Sequence, residues 1–419
     1  MSLIPQPKLA KRAHFSPPEI LLFAITFTLA TGRWGSYIGN PESGLLLVHV
    51  LLLLALLPYL FSSLGSNTLD IFARVLLPTF IISNLIRADQ NNISFVLKDI
   101  LPFVYLMLIP GVVAVLRQVT TFRIVKAIRL GCALHLFWYL PNSLGLLPEI
   151  YLPWLSKIPI FSERSDLSGV VMGIGILFWS SFPTIGLKSN TTLSLLFLVA
   201  AILGRSRAGL IATIFCVAFL SVKIYAERKN SNKKNQDTVT LFVIVTLIMT
   251  GFLGAATIGQ LNSSENAFSR FGLFGGESNV VTSAKNTGNA RYLAAKALID
   301  WTNESNVELF GAGPGAEIVL NSGALRFLSG HVEVRAPHNW WLHLFSRYGF
   351  VGLFFWCIFI GVNSFRKNVL REPAAIAASG SILAILISST FGVILESPFG
   401  SIPLIFLISM ILRDRENVE

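Results

Sequence analysis

Charge is scarce in this 419-residue chain: Asp, Glu, Lys and Arg make up 13% of it, against about 25% in an ordinary soluble domain. That shortage excludes a freely soluble enzyme with a solvated surface. Cysteine is also rare. Cys132, Cys216 and Cys357 show no CxxC or Cys/His spacing, so neither a disulfide framework nor zinc is implied, and their apolar surroundings predict buried small residues. No GxxxxGK[ST] or HExxH pattern is present, which removes the usual nucleotide loop and metalloprotease helix. The alternating pattern of a transmembrane β-barrel is missing too.

What the chain has is hydrophobic residues, 53% of the total, with a mean hydropathy of +0.65. Crossing about 30 Å of hydrocarbon takes about 20 helical residues. Apolar stretches of that kind run at about 17–31, 44–63, 70–87, 97–116, 124–140, 167–186, 191–204, 207–223, 238–259, 341–364, 373–394 and 398–412. The expected fold is all-α: a polytopic transmembrane helical bundle of about 12 spans with one long, partly helical polar loop. Three parts follow: spans 1–9 in residues 1–259, the loop domain in 260–340, and spans 10–12 with a tail in 341–419. Lys8, Lys11 and Arg12 precede the first span, but Ala30–Trp34 offers no small-residue cleavage site, so that span is expected to be retained.

The basic residues orient the bundle. With a cytoplasmic N-terminus, the inner segments hold 19 of the 33 Lys and Arg and eight of the 22 acids. The net charge of +11 then falls wholly on the inner side, as the positive-inside bias predicts. Both termini are expected in the cytoplasm and the 260–340 loop outside. The basic pI of about 9.7 therefore needs no nucleic-acid partner.

Chemistry is expected where polar residues meet the outer face. Leu203–Gly209 separates two short spans and carries Arg205 and Arg207, which suit a lipid phosphate through bidentate guanidinium contacts or, alternatively, snorkel to the headgroups. In the loop, Arg291 heads an amphipathic segment with Leu293, Ala294, Ala297, Leu298 and Trp301 at helical spacing. That segment would pack on the membrane surface or on a small core of the loop itself, and Arg291 reads either as a solvated helix residue or as an anion ligand. Gly311-Ala312-Gly313-Pro314-Gly315 is a turn. Pro337 suits a first helical turn, which puts His338 near a helix N-terminus where neutral imidazole, the form a general base needs, is favoured; a structural histidine is the other reading. His343 lies deeper and is expected to be packed in the interior.

Together these residues resemble the O-antigen ligase and O-antigen polymerase superfamily over roughly residues 195 to 365. The resemblance rests on Ser206-Arg207-Ala208-Gly209 opening a span, on Ala290-Arg291 leading to Gly311–Gly315, and on Pro337-His338-Asn339 followed by Leu342-His343-Leu344-Phe345-Ser346-Arg347-Tyr348-Gly349-Phe350-Val351-Gly352-Leu353. It implies a glycosyltransferase of the bacterial inner membrane, without cofactor or metal, whose long loop lies in the periplasm. The donor would be a glycan on undecaprenyl diphosphate, and the acceptor a lipid A core or another glycan, with membrane lipids as the surroundings. It implies Arg207 and Arg291 on the diphosphate and His338 at the acceptor hydroxyl. Arg205, Arg335 and Asn339, beside those positions, are further substrate-binding candidates. Ser346-Arg347-Tyr348-Gly349 departs from the acidic residue often found at that point of the family. A repeat-unit polymerase of O-antigen, capsule or exopolysaccharide is the alternative within the superfamily. A transporter or lipid-linked-glycan flippase is the alternative from another class, with His49 and His135 as candidate intramembrane groups.

Overall fold

The computed structural model describes residues 16–40, 45–60, 62, 71–88, 93–151, 159–182, 187–204, 206–229, 279–328, 335–364 and 372–415. These residues are helical throughout, apart from loops and a two-residue antiparallel ladder pairing Gly39 with Leu46 and Asn40 with Leu45. The helices are α1 (Pro17–Ser36), α2 (Leu47–Leu56), α3 (Leu77–Ile86, entered through a π turn at Phe72–Leu76), α4 (Ile93–Met107), α5 (Ile109–Leu116) and α6 (Thr121–Ser143). They continue with α7 (Ser165–Ser181), α8 (Leu187–Leu203), α9 (Arg207–Lys229), α10 (Asn279–Glu304), α11 (Ile318–Asn321), α12 (Trp340–Ser364), α13 (Pro373–Ser389) and α14 (Pro398–Arg415).

Each predicted apolar stretch falls on a helix except 238–259, which lies outside the described residues. Their lengths differ from expectation. Among the described residues two helical stretches, Ile93–Leu116 and Trp340–Gly361, are long and apolar enough to cross a membrane, and seven further apolar helices are shorter. The helix surfaces carry exposed Phe137, Ile86, Leu57, Phe122 and Phe354, the kind of apolar exterior that needs a nonaqueous neighbour. Cys357 is exposed, against expectation, whereas Cys132 and Cys216 are buried. It sits on the outer side of α12, where an apolar residue faces away from the bundle.

Small residues allow close helix approach. A Cβ at Gly169 of α7 would collide with the backbone of Gly209 in α9. Thr213 Oγ1 crosses that contact, donating to the Gly169 carbonyl at 2.7 Å and sharing its proton with the Gly209 carbonyl at 2.9 Å. Such small-residue contacts with hydroxyl bridging hold helices together where the surrounding medium is itself apolar. His135 Nδ1 lies 2.9 Å from the Leu29 carbonyl and Nε2 3.1 Å from Ser168 Oγ. His49 Nε2 lies 2.6 Å from Tyr105 Oη. Both are histidines with protein partners, His135 fully buried and His49 half-buried.

The contacts sort the helix ends into two groups. Arg123 at the start of α6 pairs with Glu19 of α1 at 3.7 Å, and Arg413 at the end of α14 bonds the Val119 carbonyl at 3.1 Å. The starts of α4, α7, α9 and α12 and the turn between α13 and α14 form the other group, through the contacts described below.

Residues 279–328 build a second, small core from Ala294, Leu298, Ile318, Val319, Ala324 and Leu328, with Trp301 and Leu342 packed against it. Of the two placements open to the amphipathic segment, its own core is the one found. The Gly311–Gly315 stretch does more than turn. Helix α12 is broken at Gly349 (φ 65°, ψ −166°), and the loop fills the break: Ala312 and Gly313 N–H donate to the Ser346 and Arg347 carbonyls, both at 2.9 Å, while Phe350 and Val351 N–H donate to the Glu308 and Leu309 carbonyls at 2.8 and 3.1 Å. Backbone groups freed by the break are thus paired without water, the condition for irregular backbone inside an apolar bundle.

Candidate active site

Helix α12 begins later than Pro337 suggests. Asn339 is its N-cap, with Oδ1 accepting from Leu342 N–H at 3.0 Å and its carbonyl accepting from His343 N–H at 3.0 Å. Pro337 therefore stands before the helix rather than in its first turn, because His338 adopts φ +51°. A positive φ is uncommon outside glycine, though histidine and asparagine tolerate it better than most. The left-handed turn leaves His338 exposed while Ala336 and Pro337 are buried. Asn339, a substrate-binding candidate from the sequence, has its side-chain oxygen engaged in capping.

The surroundings of His338 are cationic. Its pKa lies below the ordinary imidazole value, first because crowding by the protein partly dehydrates the ring, then because the guanidiniums of Arg291 and Arg164 oppose a further positive charge; Asp166 and Glu396 act the other way. The neutral ring is a proton acceptor at neutral pH. Arg291 is exposed on α10, so the structure brings two of the predicted residues within electrostatic reach of each other. Arg164 and Asp166 are additions that the sequence reading missed. They pair at 3.1 Å at the start of α7, and a side chain at Gly392 would meet Asp166 Oδ2 at 2.6 Å. If neutral His338 is required, activity falls as pH drops through its pKa. Removing the Arg291 charge raises that pKa, so Arg291→Gln is expected to move the acid limb of kcat/KM to higher pH. A limb that stays put or moves down contradicts this.

At the start of α9, Ser206 Oγ accepts from Gly209 N–H at 3.1 Å and the Ser206 carbonyl accepts from Leu210 N–H at 3.1 Å. Ser206 is therefore the N-cap and Arg207 the first helical residue. The Gly169–Gly209 contact sets this terminus one turn from the Arg164–Asp166 pair along α7. The side chain of Arg207 and all of Arg205 lie outside the described residues.

Beside this face lies a buried ionic cluster. Asp99, on the second turn of α4, is fully buried; its Oδ1 accepts from Arg335 Nη1 at 2.6 Å, and its Oδ2 accepts from Gly315 N–H at 2.8 Å and lies 2.6 Å from Arg347 Nη1. Tyr348 Oη donates to the Asp99 carbonyl at 2.6 Å. Arg347 Nη1 also reaches the Ala316 carbonyl at 2.8 Å, and Arg335 lies over the Phe95 ring at 5.0 Å. Glu396 Oε1 is 3.0 Å from His343 Nε2 and 3.6 Å from Arg335 Nη2. Burial alone would raise the Glu396 pKa; His343, Arg335 and Arg347 outweigh it and bring it to about 2. His343 is buried as expected, stacked on Trp340 at 5.5 Å. Arg335, a substrate-binding candidate, is engaged with two carboxylates. Carboxylate oxygens of Asp99 and Glu396 and a ring nitrogen of His343 come within 4.8 Å of one another, a spacing suited to a metal ion. Both Asp99 oxygens already face guanidiniums, so a divalent cation there would meet strong repulsion from Arg335 and Arg347.

Among the described residues, the fold and site thus define a helical bundle with two membrane-length apolar helices, whose ionisable groups gather around the entry to a broken helix. Residues 192–357 match the family described as O-antigen ligase. That stretch includes Arg207, Arg291, Arg335, His338 and Asn339, and over it the chain is similar to the O-antigen ligase family. Asp99, Arg164 and Glu396 lie outside the matched stretch. No curated protein matches the chain.

Proposed function

We propose that the protein moves a glycan from an undecaprenyl-diphosphate carrier to an acceptor hydroxyl on the periplasmic face of the inner membrane, in the manner of an O-antigen ligase. The bundle has about 12 spans with both termini cytoplasmic, and residues 260–340 form the periplasmic domain. Supporting this most directly is the match of residues 192–357, which hold Arg291 and His338, to the O-antigen ligase family, with the Arg291 guanidinium opposing protonation of His338. His338 takes the proton of the acceptor hydroxyl as its oxygen attacks the anomeric carbon. The bond from that carbon to the diphosphate breaks with inversion, and the leaving diphosphate takes the electron pair. Arg291 and Arg207 stabilise the departing charge without reorganising at the moment of reaction.

The test is reconstitution of the purified protein with a defined undecaprenyl-diphosphate-linked glycan and lipid A core. A new glycosidic bond to the core, with release of undecaprenyl diphosphate, is expected. Extension of the glycan on its carrier would instead identify a polymerase. Movement of the donor across the bilayer with no new bond would overturn the enzymatic reading in favour of a flippase.

A further inference from the structure

The site residues sit on separate pieces of chain: Arg291 on the small 279–328 core, and His338 on the turn that opens α12. The distance between them depends on how these pieces are held. One carboxylate touches both. Asp99 accepts from Arg335, three residues before His338, and from the Gly315 N–H of the loop that follows the Arg291 helix, while Arg347 and Tyr348 tie it to α12. These partners come from far apart in sequence, Arg335 by 236 residues and Gly315 by 216. The side chain is fully buried, so it cannot bind substrate from solution.

Building on the transferase reading above, we propose that Asp99 is a positioning residue of the reaction. Through Arg335 it fixes the left-handed turn that presents His338, and through Gly315 it fixes the loop attached to the Arg291 helix, so one buried group sets the spacing of base and guanidinium. Arg335 is accordingly a strut rather than a donor ligand. A carboxylate is required because it alone offers two anionic oxygens to two guanidiniums at once. A shift of about 1 Å between reacting groups is enough to lower turnover about 100-fold.

The experiment compares Asp99→Asn, Arg335→Gln and the double variant, each purified and reconstituted with lipid-linked donor. Each single variant is expected to lose about 10- to 100-fold in kcat with donor KM within about threefold, and the double variant to be no worse than the lower single. Hydrogen exchange over residues 335–339 should quicken in both singles. Arg335→Gln leaves the Asp99–Arg347–Gly315 contacts in place, so it carries the test if Asp99→Asn does not yield folded protein. Wild-type kcat in Arg335→Gln, a loss confined to KM, or additive losses in the double variant would overturn the proposal. Should the transferase reading itself fail, the exchange measurement still reports on the clamp, since it needs no activity.

Discussion

A His338→Asn variant is expected to lose about 100- to 10,000-fold in kcat for glycan transfer, the usual contribution of a positioned general base, while yielding normal amounts of folded protein. Asparagine is the informative substitution because of the backbone. His338 holds φ +51°, a conformation asparagine also tolerates, whereas alanine would add strain of about 1–2 kcal/mol and mix a loss of chemistry with a displaced turn. With the base gone, the guanidiniums still stabilise the leaving diphosphate, so measurable residual transfer should remain, and its rate should no longer fall at acid pH as the wild type does. Reconstituted transfer assays across pH, at saturating donor, check both points. Activity within about threefold of wild type would remove His338 from the chemistry and leave its strained turn to be explained by structure alone.

The sequence revealed the helices and the contact face more readily than the buried network. Long apolar runs announce helices because each must satisfy its own backbone, and the runs among the described residues fall on α1 to α9 and α12 to α14. Arg291 and His338 were visible because each heads a helical segment at the outer face and falls on a motif of the family that the chain resembles. Asp99 was not, since a lone acid near the end of a span reads as an interfacial carboxylate until its partner 236 residues away is known. Two signals were present and underused. Arg347 lies inside an apolar span, where an ionised side chain calls for a counter-ion, and Glu396 occupies a connection between two spans too short to solvate it. Arg164 and Asp166 gave no such signal, because their significance comes from what α12 and α13 bring beside them.

Pairing of the loop with the broken helix is the feature on which the rest depends, and Gly349→Ala is expected to undo it. At Gly349 the backbone takes φ +65°, and a Cβ there would fall on the Leu309 carbonyl and the Phe310 nitrogen. Gly311 is its counterpart: it has φ +72°, and a Cβ on it would strike the Arg347–Tyr348 peptide. Neither clash can be relieved by turning a side chain, because both obstacles are backbone. The left-handed conformation costs an alanine about 1–2 kcal/mol, and forced separation of packed segments adds about 1–3 kcal/mol, so a loss of about 2–5 kcal/mol is expected. The loss should spread. If residues 308–313 withdraw, the Ser346 and Arg347 carbonyls lose their donors, Gly315 leaves Asp99, and the 279–328 core comes away from α12. Thermal unfolding of the detergent-solubilised protein should show a lower midpoint for Gly349→Ala, with faster hydrogen exchange over 308–316. A melting curve and exchange pattern equal to wild type would mean that loop and helix do not interlock as described.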